Sequence, residues 1–83
     1  MYEVILQSQA EKFFNKLDRA DKERVIKKLR ELEINPKIGV SLVGNLAGLW
    51  KLRIGDYRAI YQIKNEELIV LVLKLGHRKN IYD

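Results

Sequence analysis

The 83-residue sequence has no cysteine, a single histidine and no apolar run long enough to cross a membrane. Without cysteine, neither a disulfide nor a thiolate metal site is possible. Met1 leads directly into a strand-like pattern rather than into a signal peptide. A lone histidine also excludes acid–base catalysis by a pair of histidines. We therefore expect a cytoplasmic protein that has no membrane partner.

The chain does contain enough apolar residues to fold. Hydrophobic residues make up 47% of the sequence, and their regular spacing is typical of a folded chain. The length predicts one domain over residues 1–83, with a thin core, because a chain of this size buries only about 60–65% of its unfolded surface. The net charge of +5 and the isoelectric point near 9.6 favour a polyanionic partner, although the same charge could simply keep the surface solvated.

The segment 49–61 is the most informative part of the chain. Two runs in which apolar and polar residues largely alternate flank Gly55 and Asp56, a pattern that predicts a tight β-hairpin. A two-residue link sets the register, so Arg53 is expected to lie opposite Arg58. The hairpin face predicted to enter the core carries Trp50, Leu52, Ile54, Tyr57, Ala59 and Tyr61.

The opposite face of this hairpin is predicted to carry Lys51, Arg53 and Arg58, together with Ile60. Like charges that lie opposite each other across two strands are destabilising. The three cations therefore favour a function other than stability, such as binding the phosphate backbone of a nucleic acid. The alternative is that they form the solvated face of a half-exposed hairpin.

Two amphipathic segments with apolar residues at helical spacing precede the hairpin. Ser8 and Glu11 have the spacing of a capping box at the start of the first helix. Asp18 or Asp21 is expected to cap the second helix, which should end near Asn35–Pro36. The two segments predict a helical hairpin that packs on one face of a sheet.

Strand-like patterns surround these helices. Residues 2–7 alternate and predict a short first strand, whereas residues 37–48 show no period and predict an irregular connection. After a turn at 65–67, the apolar run 68–73 predicts a strand that is covered on both faces. The resulting order β-α-α-β-β-β predicts an α+β fold with a small, mainly antiparallel sheet.

This order, together with two sequence motifs, resembles the RelE/ParE superfamily of toxins from toxin–antitoxin modules. The motifs are the segment 49–61, with the sequence LWKLRIGDYRAIY, and the segment 76–82, with the sequence GHRKNIY. The similarity covers essentially all 83 residues. It implies the RelE or microbial-ribonuclease type of fold for a single toxin domain.

The superfamily has two functional branches, RelE-like endoribonucleases that cut messenger RNA in the ribosomal A site and ParE-like inhibitors of DNA gyrase. Because the branches share a fold, the site must decide between them. Carried over from the RelE branch, the catalytic positions are Lys51, Arg53, Arg58, Arg78 and Tyr82. The implied RNA-binding residues are Lys51, Arg53, Arg58, His77 and Arg78. His77 could equally be an ordinary surface histidine.

The chemistry of RNA cleavage fits these residue types. Attack by the 2′-hydroxyl needs a base, a stabilised oxyanion and a proton for the 5′ leaving oxygen. A cationic pocket lowers the pKa of a neighbouring tyrosine or lysine, which makes Tyr82 the candidate base, assisted by Lys51 or Arg53. Arg58 and Arg78 would clamp the scissile phosphate.

The resemblance also implies the partners. They are a RelB-like antitoxin, the ribosome and messenger RNA, with no metal, cofactor or small-molecule ligand, and the product would carry a 2′,3′-cyclic phosphate. Two alternatives remain open from the sequence. One is a ParE-like gyrase inhibitor, and the other is a non-catalytic or degenerate member that acts only as a co-repressor with its antitoxin.

Overall fold

The computed structural model describes residues 1–79, in which two helices pack on one face of a five-stranded sheet. The strands are β1 (Glu3–Leu6), β2 (Val40–Ser41), β3 (Trp50–Ile54), β4 (Tyr57–Lys64) and β5 (Ile69–His77), and the helices are α1 (Ser8–Asn15) and α2 (Arg19–Ile34). The sheet order is β1-β5-β4-β3-β2, with β1 parallel to β5 and all other neighbours antiparallel. The predicted α+β class and the helical hairpin are confirmed.

The β3–β4 hairpin has the register that the sequence predicts. Arg53 lies opposite Arg58, and Trp50 lies opposite Tyr61. Gly55 has a φ of +60°, whereas φ of the following residue is not positive, which is the pattern of a type II′ turn. The backbone twist of this turn matches the twist of the two strands, so the short link holds alternate residues on opposite faces of the sheet.

The helix boundaries show one wrong prediction and two confirmed ones. Ser8 does not cap α1, because the cap position is Gln7 and no side chain bonds there. The N–H of Gln7 still donates to the carbonyl of Val72 at 2.9 Å, so strand pairing continues up to the start of the helix. Asp18 does cap α2, and its carboxylate accepts the N–H of Asp21 at 2.8 Å. The helix ends at Ile34, as expected.

Within residues 1–79, neither helix combines the length and the apolarity needed to cross a membrane.

The inner face of the sheet, which α1 and α2 cover, forms the core. Its buried residues are Leu52, Ile54, Tyr57, Ala59, Tyr61, Val70, Val72 and Leu75. The helices contribute Ala10, Val25 and Leu32, each fully buried. Trp50 is half-buried at the border of this core, where its ring stacks on that of Tyr61 at 6.2 Å. The predicted core face of the hairpin is therefore confirmed.

The segment 37–48 contains a strand that its sequence pattern did not predict. The two residues of β2 pair with β3 and form one edge of the sheet. Tyr61 holds the start of this segment, because its hydroxyl donates to the carbonyl of Pro36 at 2.7 Å and accepts the N–H of Gly39 at 3.2 Å. A β-carbon at position 39 would lie 2.3 Å from the carbonyl oxygen of Lys51. Only glycine fits this approach, and the contact depends on residues far away in the sequence.

Residues 69–73 of the apolar run form the first part of β5, as expected, but the two faces of this strand are covered unequally. Val70 and Val72 are fully buried on the inner face. Leu71 and Leu73 are half-buried on the other side. The prediction of a strand is confirmed, whereas complete cover on both faces is wrong because α1 and α2 both pack on the first face.

A β-bulge at Leu73 changes which side chains of β5 point away from the helices. Tyr61 pairs with Val72, but Ile60 pairs with Lys74, so one residue of β5 is skipped. Strict alternation from Val72 would direct Lys74 into the core. The extra residue instead places Leu75 in the core and Lys74 on the opposite side, where Lys74 is exposed.

Candidate functional site

Cations gather on the outer face, the side of the sheet that points away from α1 and α2. Lys51 and Arg53 belong to β3, and Arg58 of β4 lies directly opposite Arg53. Arg53 is exposed, while Lys51 and Arg58 are half-buried. Because opposed cations repel across a sheet, this arrangement is better suited to holding an anion than to stabilising the strands.

Two lysines that the sequence pattern did not single out also lie on the outer face. Lys74 joins it through the bulge in β5 and pairs with Ile60, the neighbour of Lys51 across the hairpin. Lys64 lies at the far end of β4. No aspartate or glutamate occurs within β3, β4 or β5. The outer face of these three strands therefore carries positive charge alone.

An apolar hollow of about 100 Å³ interrupts the cations on the outer face. It is lined by Leu42, Leu46, Leu49, Ile60, Leu73 and Lys74. Ile60 is only 4% exposed, and Leu42, Leu46 and Leu49 of the connection before β3 line the hollow together with it. The outer face is therefore a second, small packing surface bordered by Lys51 and Lys74, rather than a uniformly solvated one.

Arg78 lies beside the hairpin turn. Its N–H donates to the carbonyl of Asp56 at 3.1 Å. Because Asp56 stands between Gly55 and the first residue of β4, this bond brings Arg78 to the end of the sheet that carries Arg53 and Arg58. The structure thus places Arg78 at the same end as two of the cations proposed from the sequence.

His77 lies on the inner face instead. It pairs with Tyr57 across β4 and β5, and its ring contacts that of Tyr57 with centroids 5.2 Å apart. Its ring also meets Phe13 of α1 edge-on at 5.8 Å. The sheet therefore separates the side chain of His77 from those of Lys51 and Arg53, although β5 and β3 belong to the same sheet and both pair with β4.

A polar contact below the hairpin joins Tyr57 to α2. The Tyr57 hydroxyl donates to Asp21 Oδ2 at 2.7 Å, and Arg24 Nη1 donates to Asp21 Oδ1 at 2.8 Å. The hydrogen bond to Asp21 raises the pKa of Tyr57 above that of an ordinary tyrosine, and burial and the nearby carboxylates add to the shift. Tyr57 therefore keeps its proton and remains a donor at neutral pH.

Tyr82 lies outside the described residues, so its role stays a prediction. No group of three or more histidine, aspartate or glutamate side chains within residues 1–79 is arranged to hold a metal ion.

Sequence reasoning missed three features that shape this region: the position of Lys74, the inner-face position of His77 and the bond between Tyr57 and Asp21. The first two depend on the bulge and the strand pairing of β5. The third joins residues that are 36 positions apart. No local periodicity could have revealed any of them, although the aspartate in the first turn of α2 was visible as a possible cap.

Fold and surface together define the class of protein, a small basic α+β domain with one sheet face covered by helices and the other cationic. A family model described as the ParE toxin of the type II toxin–antitoxin system parDE matches residues 4–82. The chain therefore belongs to the RelE/ParE superfamily and is a toxin of a type II toxin–antitoxin system.

Individual relatives agree with this assignment. The chain is 32% identical to a putative RelE-like toxin protein of Escherichia coli over 94% of this chain and 84% of the relative. It is 30% identical, with the same shares covered, to the mRNA interferase toxin RelE of Escherichia coli K12. Its structure resembles the RelBE2 toxin–antitoxin complex of Mycobacterium tuberculosis, with a TM-score of 0.84 and 30% identity over 93% of this chain and 98% of that one.

Proposed function

We propose that this toxin is a ribosome-dependent endoribonuclease that cleaves messenger RNA in the A site. The observation that carries the proposal is the cluster of Lys51, Arg53 and Arg58 on the outer face, with Arg78 at the same end of the sheet. Its relatives named mRNA interferases support the nuclease branch of the superfamily.

The proposed reaction is attack of a ribose 2′-oxygen on the adjacent phosphorus. The bond from phosphorus to the 5′-oxygen breaks and this oxygen takes a proton from solvent, which leaves a 2′,3′-cyclic phosphate and a 5′-hydroxyl. Arg58 and Arg78 hold the non-bridging oxygens, since a guanidinium can bond two oxygens at once. Tyr82 takes the proton of the 2′-hydroxyl, with Lys51 or Arg53 stabilising the charge that develops.

Positive charge accounts for the proposed partners. Lys51, Arg53, Arg58, Lys64 and Lys74 lie on a surface that suits a phosphate backbone. An antitoxin of the RelB type would neutralise the toxin by folding across these cations or by displacing Tyr82. Acidic side chains on that antitoxin would speed association with the +5 toxin. We expect the toxin to meet its antitoxin, the ribosome and messenger RNA in the cytoplasm.

The second candidate is inhibition of DNA gyrase, which the ParE description of the matching family model favours. It does not require Lys51, Arg53, Arg58 and Arg78 to lie at one end of the sheet. A gyrase inhibitor should tolerate alanine at these positions, provided that the protein folds. The nuclease should not.

One preparation of the toxin can be tested in both assays. Purified toxin is added to ribosomes stalled on a defined messenger RNA, and cleavage is mapped by primer extension. The same protein is then added to gyrase in a DNA supercoiling assay. We expect cuts in the A-site codon and unaffected supercoiling. Inhibited supercoiling without cleavage would support the gyrase alternative, and inactivity in both assays would favour a co-repressor without catalysis.

A further inference from the structure

Tyr57 contacts three other elements of the fold near the proposed site. Its ring meets Phe13 of α1 edge-on at 5.8 Å and contacts His77 of β5 at 5.2 Å. Its hydroxyl donates to Asp21 of α2 at 2.7 Å. One side chain of β4 thus touches both helices and the end of β5.

Asp21 is held in turn by two other groups. Arg24 donates to its second carboxylate oxygen at 2.8 Å, and its own N–H bonds to the capping carboxylate of Asp18 at 2.8 Å. Arg24 also approaches the hairpin turn, because its Cδ would lie 3.4 Å from a β-carbon at Gly55. The first turn of α2 is therefore docked on the hairpin end through Asp21.

The two arginines proposed to clamp the phosphate both lie next to this contact. Arg58 follows Tyr57 in β4. Arg78 follows His77, whose ring packs on Tyr57, and its N–H bonds to the carbonyl of Asp56, the residue before Tyr57. The backbone of both arginines therefore lies directly beside Tyr57, on β4 and at the end of β5.

We propose that Tyr57 is a positioning residue, which through its hydroxyl bond to Asp21 sets the relative placement of Arg58 and Arg78. The proposal rests on the proposed nuclease function. The ring of Tyr57 lies on the inner face, on the other side of the sheet from Arg53 and Arg58. Tyr57 acts through the backbone on each side of it, and the expected consequence is a loss of rate rather than of binding.

The hydroxyl can be tested apart from the ring. Phenylalanine at position 57 would keep the packing against Phe13 and His77 and remove only the bond to Asp21. Asp21→Ala removes the same bond from the other side, whereas Asp21→Asn keeps an oxygen that can accept it. Tyr2→Phe is a matched control, because the Tyr2 hydroxyl also donates at 2.7 Å, to Asn65 at the opposite end of the sheet.

The first measurement is single-turnover cleavage on programmed ribosomes as a function of toxin concentration. For Tyr57→Phe and Asp21→Ala we expect the rate at saturating toxin to fall about 10- to 100-fold, because small displacements of clamping groups have effects of this size. The half-saturating concentration should change by no more than about threefold, since ground-state binding is retained. Tyr2→Phe should cleave at the wild-type rate, and Asp21→Asn, which keeps one acceptor oxygen but replaces the one that Arg24 uses, should lose less than Asp21→Ala.

The second measurement does not require nuclease activity. Hydrogen exchange followed by NMR reports the protection of the Arg78 amide, which bonds to Asp56. We expect exchange of this amide to become about tenfold faster in Tyr57→Phe and Asp21→Ala. This increase should be larger than the loss of global stability, measured by thermal unfolding, would cause. Tyr2→Phe should leave the protection of Arg78 unchanged.

The two measurements separate the two proposals. Wild-type toxin that leaves ribosome-bound messenger RNA intact would contradict the nuclease function, and the Arg78 amide would then decide the positioning role alone. Folded Tyr57→Phe and Asp21→Ala proteins with wild-type cleavage rates and wild-type Arg78 exchange would overturn the positioning proposal. A rate loss equal in Tyr57→Phe and Tyr2→Phe would overturn it as well, because it would reflect a general loss of stability.

Discussion

The inner and outer faces of the sheet are made from alternating residues of the same strands, yet their chemistry is opposite. On the inner face Leu52, Ile54 and Ala59 are 6%, 1% and 0% exposed. On the outer face, the residues between them include Arg53 and Arg58, which oppose each other across the hairpin. A step of one residue along β3 or β4 therefore separates a core position from a cationic one.

This contrast separates stability from function. Burying a side chain such as Leu52 stabilises a protein by about 1.5–3 kcal/mol. Arg53 and Arg58 lie in register on the outer face, where two like charges repel each other. A chain with a thin core has little stability to spare, and opposed cations on the outer face agree with the proposed role of this face in binding RNA phosphates. Substitutions on the two faces should consequently have effects of different kinds.

The largest effect is expected from Arg58→Ala. Loss of one charged group that stabilises a transition state typically lowers the rate by about 10²–10³-fold, so cleavage on programmed ribosomes should fall by this factor. Thermal unfolding of the same variant separates this loss of rate from a loss of folding. Lys64→Ala is the matched control, since Lys64 is a cation on the same strand and the same face but at its far end. Equal activity of the two variants would show that the outer face acts only through its total charge.

The next largest effect is expected from Leu52→Ala on the inner face. Truncating a buried leucine costs about 2–5 kcal/mol in the free energy of unfolding, and Leu52 is 6% exposed. The neighbouring variant Arg53→Ala should change this free energy by less than about 0.5 kcal/mol. Urea titrations of the two variants measure both values. Similar losses would contradict the division between the faces.

Gly39→Ala tests the close approach of the backbone before β2 to Lys51 of β3 and Tyr61 of β4. A methyl group there would overlap the carbonyl oxygen of Lys51 and the hydroxyl of Tyr61. Overpacking of this kind destabilises by about 1–3 kcal/mol, which thermal or urea unfolding would detect. Ser41→Ala, an exposed position of β2, serves as the control. A Gly39→Ala protein as stable as this control would mean that β2 moves away without loss.

The smallest effect concerns alkaline pH. The hydrogen bond to Asp21 raises the pKa of Tyr57, and burial raises the pKa of Tyr61. Above about pH 10 the unfolded chain therefore loses phenolic protons that the native state retains, so the free energy of unfolding falls as the pH rises. Unfolding titrations between pH 9 and 11 should show this decline, and Tyr57→Phe should make it shallower. An unchanged slope would argue against the raised pKa of Tyr57.

Local rules were sufficient for the hairpin and for the assignment of its faces. A two-residue link at Gly55 and Asp56 and a period of two define the register without reference to the rest of the chain. The capping aspartate and the end of α2 were predictable for the same reason. The resemblance to the RelE/ParE superfamily depended on the same local segments. Tyr82 remains a prediction, because it lies outside the described residues.

Other features were decided only when distant segments packed together. The bulge at Leu73 turns Lys74 outward, and the pairing of β5 with β4 directs His77 to the helices. β2 exists because Tyr61 and β3 hold a segment that has no strand pattern of its own. The bond from Tyr57 to Asp21 spans 36 positions. Periodicity describes neighbours along the chain, so it determined which residues share a strand face, whereas these contacts follow from the docking of helices and strands onto one another.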